Sequence, residues 1–471
     1  MIVTPFALII LLLGTLMLFR GGPLGMFSLF LGSTLFGGSA AFILVAAGGS
    51  SIPPAQFMLL FLGIRLLLPG AGQMDMLQRA IWDNRYLVLF VLYGLVSAFI
   101  LPRIFARQMM VTPLKPIPGA DLFAVVPLQA TSQNITTAFY LVGTLVAGVM
   151  ATAAVQRPGA AKRVVRIGAG IAYTHALLGI SSVVLAGTAW DRLLGLFRNG
   201  NYAQLNQSFD GLVRMSGIWP ETSGFAAYGA IWCIFMLELW LRDIEPRRTG
   251  PAGLILLLAL IASTSSSAYV SLAAYALFIT VRFAIGPWVM TARKQLALIA
   301  LGLGATTLVL AAFVMVPSLA AKFANILSLM TFDKADSGSG IQRAFWAKQG
   351  IDVFFASYGL GIGAGSFRSS SLATAILGSI GVIGIVSFIA HLVRSVQPFR
   401  SEFLDLQPTD FDRGVGGAAS TTALLMLTSA MIAAPSPDPG VMWAVMCGIA
   451  LALRPRLARR SPYLRTQAVA A

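Results

Sequence analysis

Residues 372–393 read LATAILGSIGVIGIVSFIAHLV, an apolar stretch without Asp, Glu, Lys or Arg. A helix of about 20 such residues covers the hydrocarbon core of a bilayer. Similar stretches recur along the whole chain, and they predict an all-α, polytopic integral membrane protein with about 12 or 13 transmembrane helices. Residues 1–471 are predicted to form a single integral membrane domain.

The composition agrees with this class. Of the 471 residues, 57% are hydrophobic and 11% are charged, whereas water-soluble domains carry about 25% charged residues. The formal net charge of +16 indicates basic cytoplasmic loops, and no nucleic-acid partner is expected. The two cysteines and two histidines lie in or beside apolar runs without metal-ligand spacing, so no metal site is expected. His175 and His391 are expected to pack between helices.

The basic residues assign sides to the loops. The predicted spans are 2–19, 25–48, 53–69, 86–101, 135–156, 167–186, 223–241, 251–264, 267–285, 295–316, 372–393, 414–434 and 438–453. Arg and Lys cluster at 157–166, at 242–248 and around 282–294, and in the tail from Arg454, which the positive-inside rule places in the cytoplasm. Three long connections, 102–134, 187–222 and 317–371, then lie outside. An odd number of spans would place the N-terminus outside and an even number inside, so its side stays open.

The second of these connections ends in Arg214-Met-Ser-Gly217-Ile-Trp-Pro220-Glu221, directly before a predicted helix. Charges at a membrane surface tend to have a partner or a function. Arg214 is a candidate anion ligand or a snorkelling interfacial residue. Glu221 is a candidate general base or a residue that favours the helix N-terminus.

The third connection carries Arg343-Ala-Phe-Trp346 and then Gly361-Ile-Gly363-Ala-Gly365-Ser-Phe-Arg368. A guanidinium group offers a permanent charge and a bidentate fork, so Arg343 and Arg368 are candidate ligands of a diphosphate. The alternating glycines indicate either a close approach of the backbone to phosphate or sugar, or a flexible loop. The prolines of 102–134 exclude a long helix there and predict an irregular or short-stranded cap over the site.

Several motifs together resemble the O-antigen ligase and polymerase superfamily over residues 130–390. They are Arg214-x-x-Gly217 before a helix, the Ser/Thr break at Thr264–Ser267, Arg343-x-x-Trp346, Gly361-x-Gly363-x-Gly365 and Gly381-Val-Ile-Gly384. The resemblance implies a GT-C-like helical fold in the bacterial inner membrane, with large periplasmic loops and an active site that faces the periplasm. It also implies glycan transfer from undecaprenyl diphosphate without nucleotide sugar, metal or cofactor.

Two departures from the family pattern bear on the reaction. Ligases of the family carry a His shortly after the glycine-rich run, where this chain has Ser370 and no His nearby; Ser265-Ser266-Ser267 replaces a common Ser-Arg-Gly. The missing His favours a polysaccharide polymerase, which transfers the growing glycan to the next lipid-linked repeat unit. In this hypothesis Arg214, Arg343 and Arg368 bind the diphosphate. Glu221 is the candidate catalytic base, ahead of Asp336 and Asp352.

Three alternatives stay open: an O-antigen ligase acting on lipid A–core, a protein O-glycosylating ligase, and a flippase or other transporter for lipid-linked oligosaccharides. A transporter would be expected to have charged spans and short external loops, whereas the predicted spans are nearly free of charge. The expected partners are lipid-linked donor and acceptor glycans and membrane lipid. The resemblance adds a chain-length regulator and a flippase.

Overall fold

The computed structural model describes residues 2–44, 49–68, 73–115, 123–200, 208–209, 212–285, 294–296, 338–397 and 410–454, with a few short pieces between them. Its helices, in chain order, are α1 (Pro5–Arg20), α2 (Pro23–Ser33), α3 (Pro54–Leu67), α4 (Gln73–Asp83), α5 (Arg85–Ile104), α6 (Ser132–Val155), α7 (Ala160–Val184), α8 (Ala189–Gly195), α9 (Thr222–Leu241), α10 (Pro246–Ala262), α11 (Ser266–Ile285), α12 (Gly338–Ala356), α13 (Leu372–Val396), α14 (Phe411–Ala433) and α15 (Val441–Ala452).

Seven of the described helices are long and apolar enough to cross a membrane, namely α5, α6, α7, α9, α11, α13 and α14. Shorter apolar helices at α1, α2, α3 and α15 pack beside them. The chain is therefore a multi-pass, all-α membrane protein, which confirms the predicted fold class. Helix α9 lies at the centre, where Trp232 and Phe235 are fully buried.

The strands are short and form three small antiparallel sheets. β1 (Ile2–Val3), β2 (Phe42–Leu44) and β3 (Ser50–Ile52) form the first sheet, in which Ile2 pairs with Ile43. β4 (Met110–Val111) pairs with β5 (Val126–Pro127) inside the connection predicted to be short-stranded, and β6 (Ser208–Phe209) pairs with β7 (Leu212–Val213).

Backbone hydrogen bonds gather one set of connections at one end of the bundle, which we call the site end. Gly200 N donates to Gly38 O at 3.3 Å, Arg368 N to Thr112 O at 2.9 Å, and Ser369 N to Pro435 O at 3.0 Å. Thr4 N donates to Ala41 O at 3.1 Å, so the start of α1 belongs to this end as well. The predicted connections 102–134 and 187–222 and the described part of 317–371 therefore share one end of the bundle.

The opposite end, which we call the basic end, gathers the Arg- and Lys-rich connections. Arg394 and Arg454 both contact Asp83, the last residue of α4. Arg166 and Arg248 both contact Glu245 before α10. Lys294 contacts Asp243 at 2.8 Å. Acids of the connecting segments thus neutralise many of the cations there.

Two of the predicted spans need comment. The span 25–48 is wrong in its second half, because α2 ends at Ser33, a 3-10 turn covers Thr34–Phe36, and β2 follows. After this turn the chain enters β2, which pairs with β1 and β3. The turn also packs closely on a distant residue, since a Cβ on Gly37 would lie 2.2 Å from the Trp219 ring. The predicted span 295–316 lies mostly outside the described residues.

The expectation of nearly charge-free spans is wrong for two helices. Glu238 in α9 and Arg282 in α11 are buried and lie 3.0 Å apart, and Arg242 at the end of α9 contacts the same carboxylate at 3.3 Å. A buried carboxylate needs such partners because charge transfer out of water is costly. This cluster ties α9 to α11 near the basic end.

Candidate functional site

The turn from Arg214 to Glu221 is held at the site end by its glycine. Gly217 has φ +56°, a left-handed conformation that glycine adopts without strain. Its N–H donates to the Ser182 hydroxyl in α7 at 3.1 Å, and its carbonyl accepts from the Arg198 guanidinium, with Nε at 2.9 Å. These bonds fix the turn that carries Arg214 on one side and Glu221 on the other.

Arg214 is half-buried beside the turn between α10 and α11. Its Nη2 donates to the Thr264 carbonyl at 3.0 Å, and its buried Nε has no hydrogen-bond partner among the described residues. Thr264 itself has φ +51°, which is uncommon for a residue with a Cβ. Burial lowers the pKa of Arg214, and the negative charge of Glu221 raises it in part. Arg214 therefore places a partly desolvated charge at the site end.

Glu221 is the N-cap residue of α9, but its carboxylate does not act as the cap. The Ser223 hydroxyl donates to Glu221 Oε1, and the Glu221 backbone carbonyl accepts from Phe225 N at 3.1 Å. Arg214 and Glu221 interact electrostatically, yet no ion pair within 4.0 Å joins these two described residues. A cation and a carboxylate thus lie near each other without neutralising each other directly.

An aromatic cluster packs against this turn. The Trp219 and Tyr228 rings are 5.0 Å apart, and the His175 ring stacks on Phe225 at 4.2 Å. His175 Nε2 lies 3.0 Å from the Phe225 carbonyl, and its side chain is buried. His175 is therefore a packing residue, as the sequence predicts, although the sequence does not reveal that it packs under the candidate site.

The glycine-rich segment 359–365 is packed between helices. Gly361, Gly363 and Gly365 all have positive φ. A Cβ would lie 2.5 Å from Ser379 O at Gly361, 2.5 Å from Pro102 Cγ at Gly363, and 2.4 Å from Gln133 O at Gly365. The close approach that these glycines allow in the described residues is thus to the protein's own helices α5, α6 and α13. An approach of this backbone to phosphate or sugar stays a prediction.

Arg368 follows this segment and contacts the connection 102–134, which we call the cap. Its guanidinium lies over the Trp346 ring, 4.4 Å from the centroid, and its Nη1 lies 3.4 Å from the Leu114 carbonyl. The cap is also fixed to α12, since Thr112 N donates to Gln349 Oε1 at 2.9 Å. Cation–π contact and backbone bonds set the position of the Arg368 charge.

Arg343 lies on the second turn of α12 and is exposed. Its backbone carbonyl accepts a hydrogen bond from the Ser370 hydroxyl at 2.5 Å. The structure thus brings the Arg343 and Arg368 segments together and, separately, Arg214 and Glu221. Both groups lie at the site end. Asp352 contacts Lys348 on the exposed face of α12, and Asp336 lies outside the described residues.

The sequence analysis did not single out Asp438, which lies in the turn between α14 and α15. Its Oδ1 accepts from the Thr144 hydroxyl at 2.7 Å and from Gly440 N at 3.1 Å, while Oδ2 accepts no hydrogen bond from the described residues. Burial raises the pKa of Asp438. The same turn is joined to the Arg368 segment through Ser369 and Pro435. The sequence signal that could have identified Asp438 is an acid within a proline-rich turn, Pro435-Ser-Pro-Asp438-Pro-Gly440.

Within the described ranges, no group of three or more His, Cys, Asp or Glu side chains could hold a metal ion. The polar side chains at this end are arginines, single carboxylates and hydroxyls. Such a set suits the binding of an anion and proton transfer at a hydroxyl.

No family model, no curated protein and no solved structure matches this chain.

Proposed function

We propose that this protein is a polysaccharide polymerase that joins undecaprenyl-diphosphate-linked oligosaccharide repeats. A hydroxyl of the incoming lipid-linked repeat attacks the anomeric carbon of the growing chain. The bond between that carbon and the diphosphate oxygen breaks, and undecaprenyl diphosphate leaves with the electron pair. The proton of the attacking hydroxyl passes to a carboxylate. The proposal places the site end at the periplasmic face of the bacterial inner membrane, and a GT-C-like architecture stays a prediction.

The observation that carries the proposal is the arrangement of Arg214 and Glu221. A half-buried guanidinium with an unpartnered Nε lies near a carboxylate that it does not pair with. Glycosyl transfer from a diphosphate donor needs both charges, because negative charge grows on the leaving group while a proton is lost from the acceptor. In a tight ion pair Arg214 and Glu221 would bind each other. Without one, the guanidinium can bind the diphosphate donor and the carboxylate can accept the proton of the acceptor.

Arg343 and Arg368 are further candidate ligands of the diphosphate in the same reaction. The exposed Arg343 can adjust to a substrate, whereas Trp346 and Leu114 hold Arg368 in place. Donors that are fixed before the reaction stabilise the developing charge of the diphosphate without a cost of reorganisation. The apolar flanks of the bundle give the prenyl chain a route from the lipid.

The test uses the purified full chain in nanodiscs with the lipid-linked repeat of its host, without nucleotide sugar and with a chelator. Products are separated by gel and mass spectrometry, and lipid A–core and acceptor protein are offered in parallel. A ladder of repeat multiples in the absence of other acceptors is the expected result. Transfer only to lipid A–core or only to protein would replace the polymerase with a ligase. Movement of intact substrate across the bilayer without new glycosidic bonds would indicate a transporter.

A further inference from the structure

Two short helices, α3 and α15, begin inside the bundle rather than at its site end. Helix α6 provides the scale, because it begins at the site end with Ser132, directly after the connection 102–134. Thr144 lies twelve residues further along α6, which is about 18 Å at the helical rise per residue. Its hydroxyl donates to Asp438 Oδ1 at 2.7 Å. The proline-rich turn that precedes α15 therefore reaches well into the bundle.

The segment that precedes α3 reaches the same part of α6. The Tyr140 hydroxyl donates to the Ser51 carbonyl of β3 at 2.7 Å. Gln56, in the first turn of α3, lies against Gly143, where an added Cβ would be 3.2 Å from Gln56 Nε2. Tyr140 and Thr144 are one helical turn apart and share a face of α6, and Gly143 lies beside them. One face of α6 thus contacts both β3 with α3 and the turn that carries Asp438.

These segments line an opening inside the bundle. Gln56, Tyr140 and Asp438 are each partly exposed, as are the residues of β3. Hydrocarbon offers no hydrogen-bond partners, so non-helical backbone at membrane depth is found where it is buried in protein or lines a water-filled cavity. Because this backbone is partly exposed beside a membrane-spanning helix, it lines a water-filled cavity, and the connections that form the cavity come from the site end.

The cavity contains oxygen acceptors that lack donors. Asp438 forms no ion pair within 4.0 Å among the described residues, and its Oδ2 accepts no hydrogen bond from them. The side-chain oxygen of Gln56 is buried and has no hydrogen-bond partner in the described part of the chain. A charge at membrane depth tends to have a partner or a function, and a buried acceptor without a donor is costly. A ligand that carries hydrogen-bond donors would satisfy both groups.

Sugar hydroxyls match this set of acceptors better than a divalent cation does. Thr144 and Gly440 already donate to Asp438 Oδ1, which leaves one carboxylate oxygen and the amide oxygen of Gln56. Ca²⁺ takes about six to eight oxygen ligands, whereas two neighbouring hydroxyls of a sugar can each donate to one of these two oxygens. The Tyr140 ring adds an apolar surface for the sugar ring.

We propose that this cavity binds the glycan of the lipid-linked repeat, with Asp438 Oδ2 and the side-chain oxygen of Gln56 accepting hydrogen bonds from its hydroxyls. The inference rests on the proposed polymerase function and assigns residues that select the glycan. Ser369 N donates to the Pro435 carbonyl at 3.0 Å, so the turn that carries Asp438 is joined to the segment that carries Arg368.

The experiment measures glycan binding to the full chain in nanodiscs by isothermal titration calorimetry. The probe is the lipid-free repeat-unit oligosaccharide, released by mild acid from the lipid-linked repeat of the host. The test variants are Asp438→Asn, which removes the charge and one acceptor, and Gln56→Leu, which removes the unpartnered oxygen. The control is Asp121→Asn, which removes an exposed acid of the cap.

Wild type and control are expected to bind the oligosaccharide with equal affinity. Asp438→Asn should weaken binding about tenfold or more, because a hydrogen bond to a charged group is lost, and Gln56→Leu should weaken it about threefold. A purely structural role predicts that Gln56→Leu stabilises the fold and leaves glycan affinity unchanged. Unchanged affinity in either folded variant would overturn the proposal, as would a wild-type protein that does not bind the oligosaccharide. If Asp438→Asn does not fold, Gln56→Leu decides.

Two further comparisons separate this proposal from its alternatives. Wild type is heated in NaCl and in choline chloride at equal ionic strength; protection by Na⁺ without oligosaccharide binding would indicate a cation site and overturn the proposal. Each variant is also tested for the ladder of repeat multiples. Glycan binding that depends on Asp438 and Gln56, without a ladder from wild type, would support the cavity and refute the polymerase. A wild-type ladder with unchanged glycan affinity in the variants would refute the cavity alone.

Discussion

Replacement of Gly363 by alanine tests whether the glycine-rich segment serves packing or ligand binding. Gly363 has φ +106°, and an added Cβ would lie 2.5 Å from Pro102 Cγ and 2.9 Å from the Ser97 carbonyl. The backbone conformation alone costs an L-residue about 1–2 kcal/mol. Overpacking against α5 adds about 1–3 kcal/mol. Gly363→Ala should therefore lower the free energy of unfolding by about 2–5 kcal/mol.

Two other glycines provide matched comparisons. Gly359 has φ +78°, but its added Cβ would lie 3.3 Å from the nearest atom, a Val382 methyl carbon. Gly359→Ala should cost mainly the backbone term, about 1–2 kcal/mol. Gly170 in α7 has no atom within 4 Å of an added Cβ, so Gly170→Ala should leave stability unchanged or raise it by up to about 1 kcal/mol.

The assay is reversible unfolding in mixed micelles, followed by tryptophan fluorescence and repeated by thermal melting. The order of stability should be Gly170→Ala, then Gly359→Ala, then Gly363→Ala. A Gly363→Ala protein with wild-type stability but without activity would refute the packing interpretation. That result would instead support a backbone that approaches a ligand.

Three further predictions concern the charged residues of the site end. Arg214→Ala should lower kcat/KM about 10²–10³-fold, because a preplaced donor to the leaving group is lost, whereas Arg192→Ala on the exposed side of α8 should leave kcat/KM near wild type. Glu221→Gln keeps the size of the side chain and should lower kcat about 10²–10⁴-fold; undiminished turnover would return Glu221 to a structural role at the start of α9. Because the pKa of Asp438 is raised in the folded protein, its contribution to stability is greatest below the unfolded pKa of about 4 and is lost as pH rises through the folded pKa. Asp438→Asn should therefore reduce the fall of the melting temperature as pH rises above about 4. An unchanged fall would contradict the raised pKa of Asp438.

Some elements follow from the sequence because their signals are local. Helix α9 was predicted over 223–241 and begins at Thr222 and ends at Leu241, since Pro220 and Arg242 bound an apolar run. The break after α2 does not follow from the sequence, because the chain there enters β2, whose pairing with β1 and β3 is a contact between separate segments. An apolar run gives no sign of such a contact.

In the candidate site, too, some features follow from local sequence signals and others depend on contacts between distant residues. The charges of Arg214 and Glu221 stand out beside a predicted span, and so they could be singled out from the sequence. The surroundings of Asp438 include Thr144, which lies 294 positions away in the sequence. Likewise, the glycine-rich run shows that side chains are excluded, but only the fold reveals that α5, α6 and α13 lie against it.

The central claim is that the protein forms glycosidic bonds by displacing undecaprenyl diphosphate. The most direct measurement follows single-turnover reactions with lipid-linked repeats labelled separately in the glycan and in the diphosphate. The proposal predicts one undecaprenyl diphosphate released for each new glycosidic bond, in the presence of chelator and without nucleotide sugar. Release of diphosphate without glycan elongation, or no release by the folded wild-type protein, would contradict it.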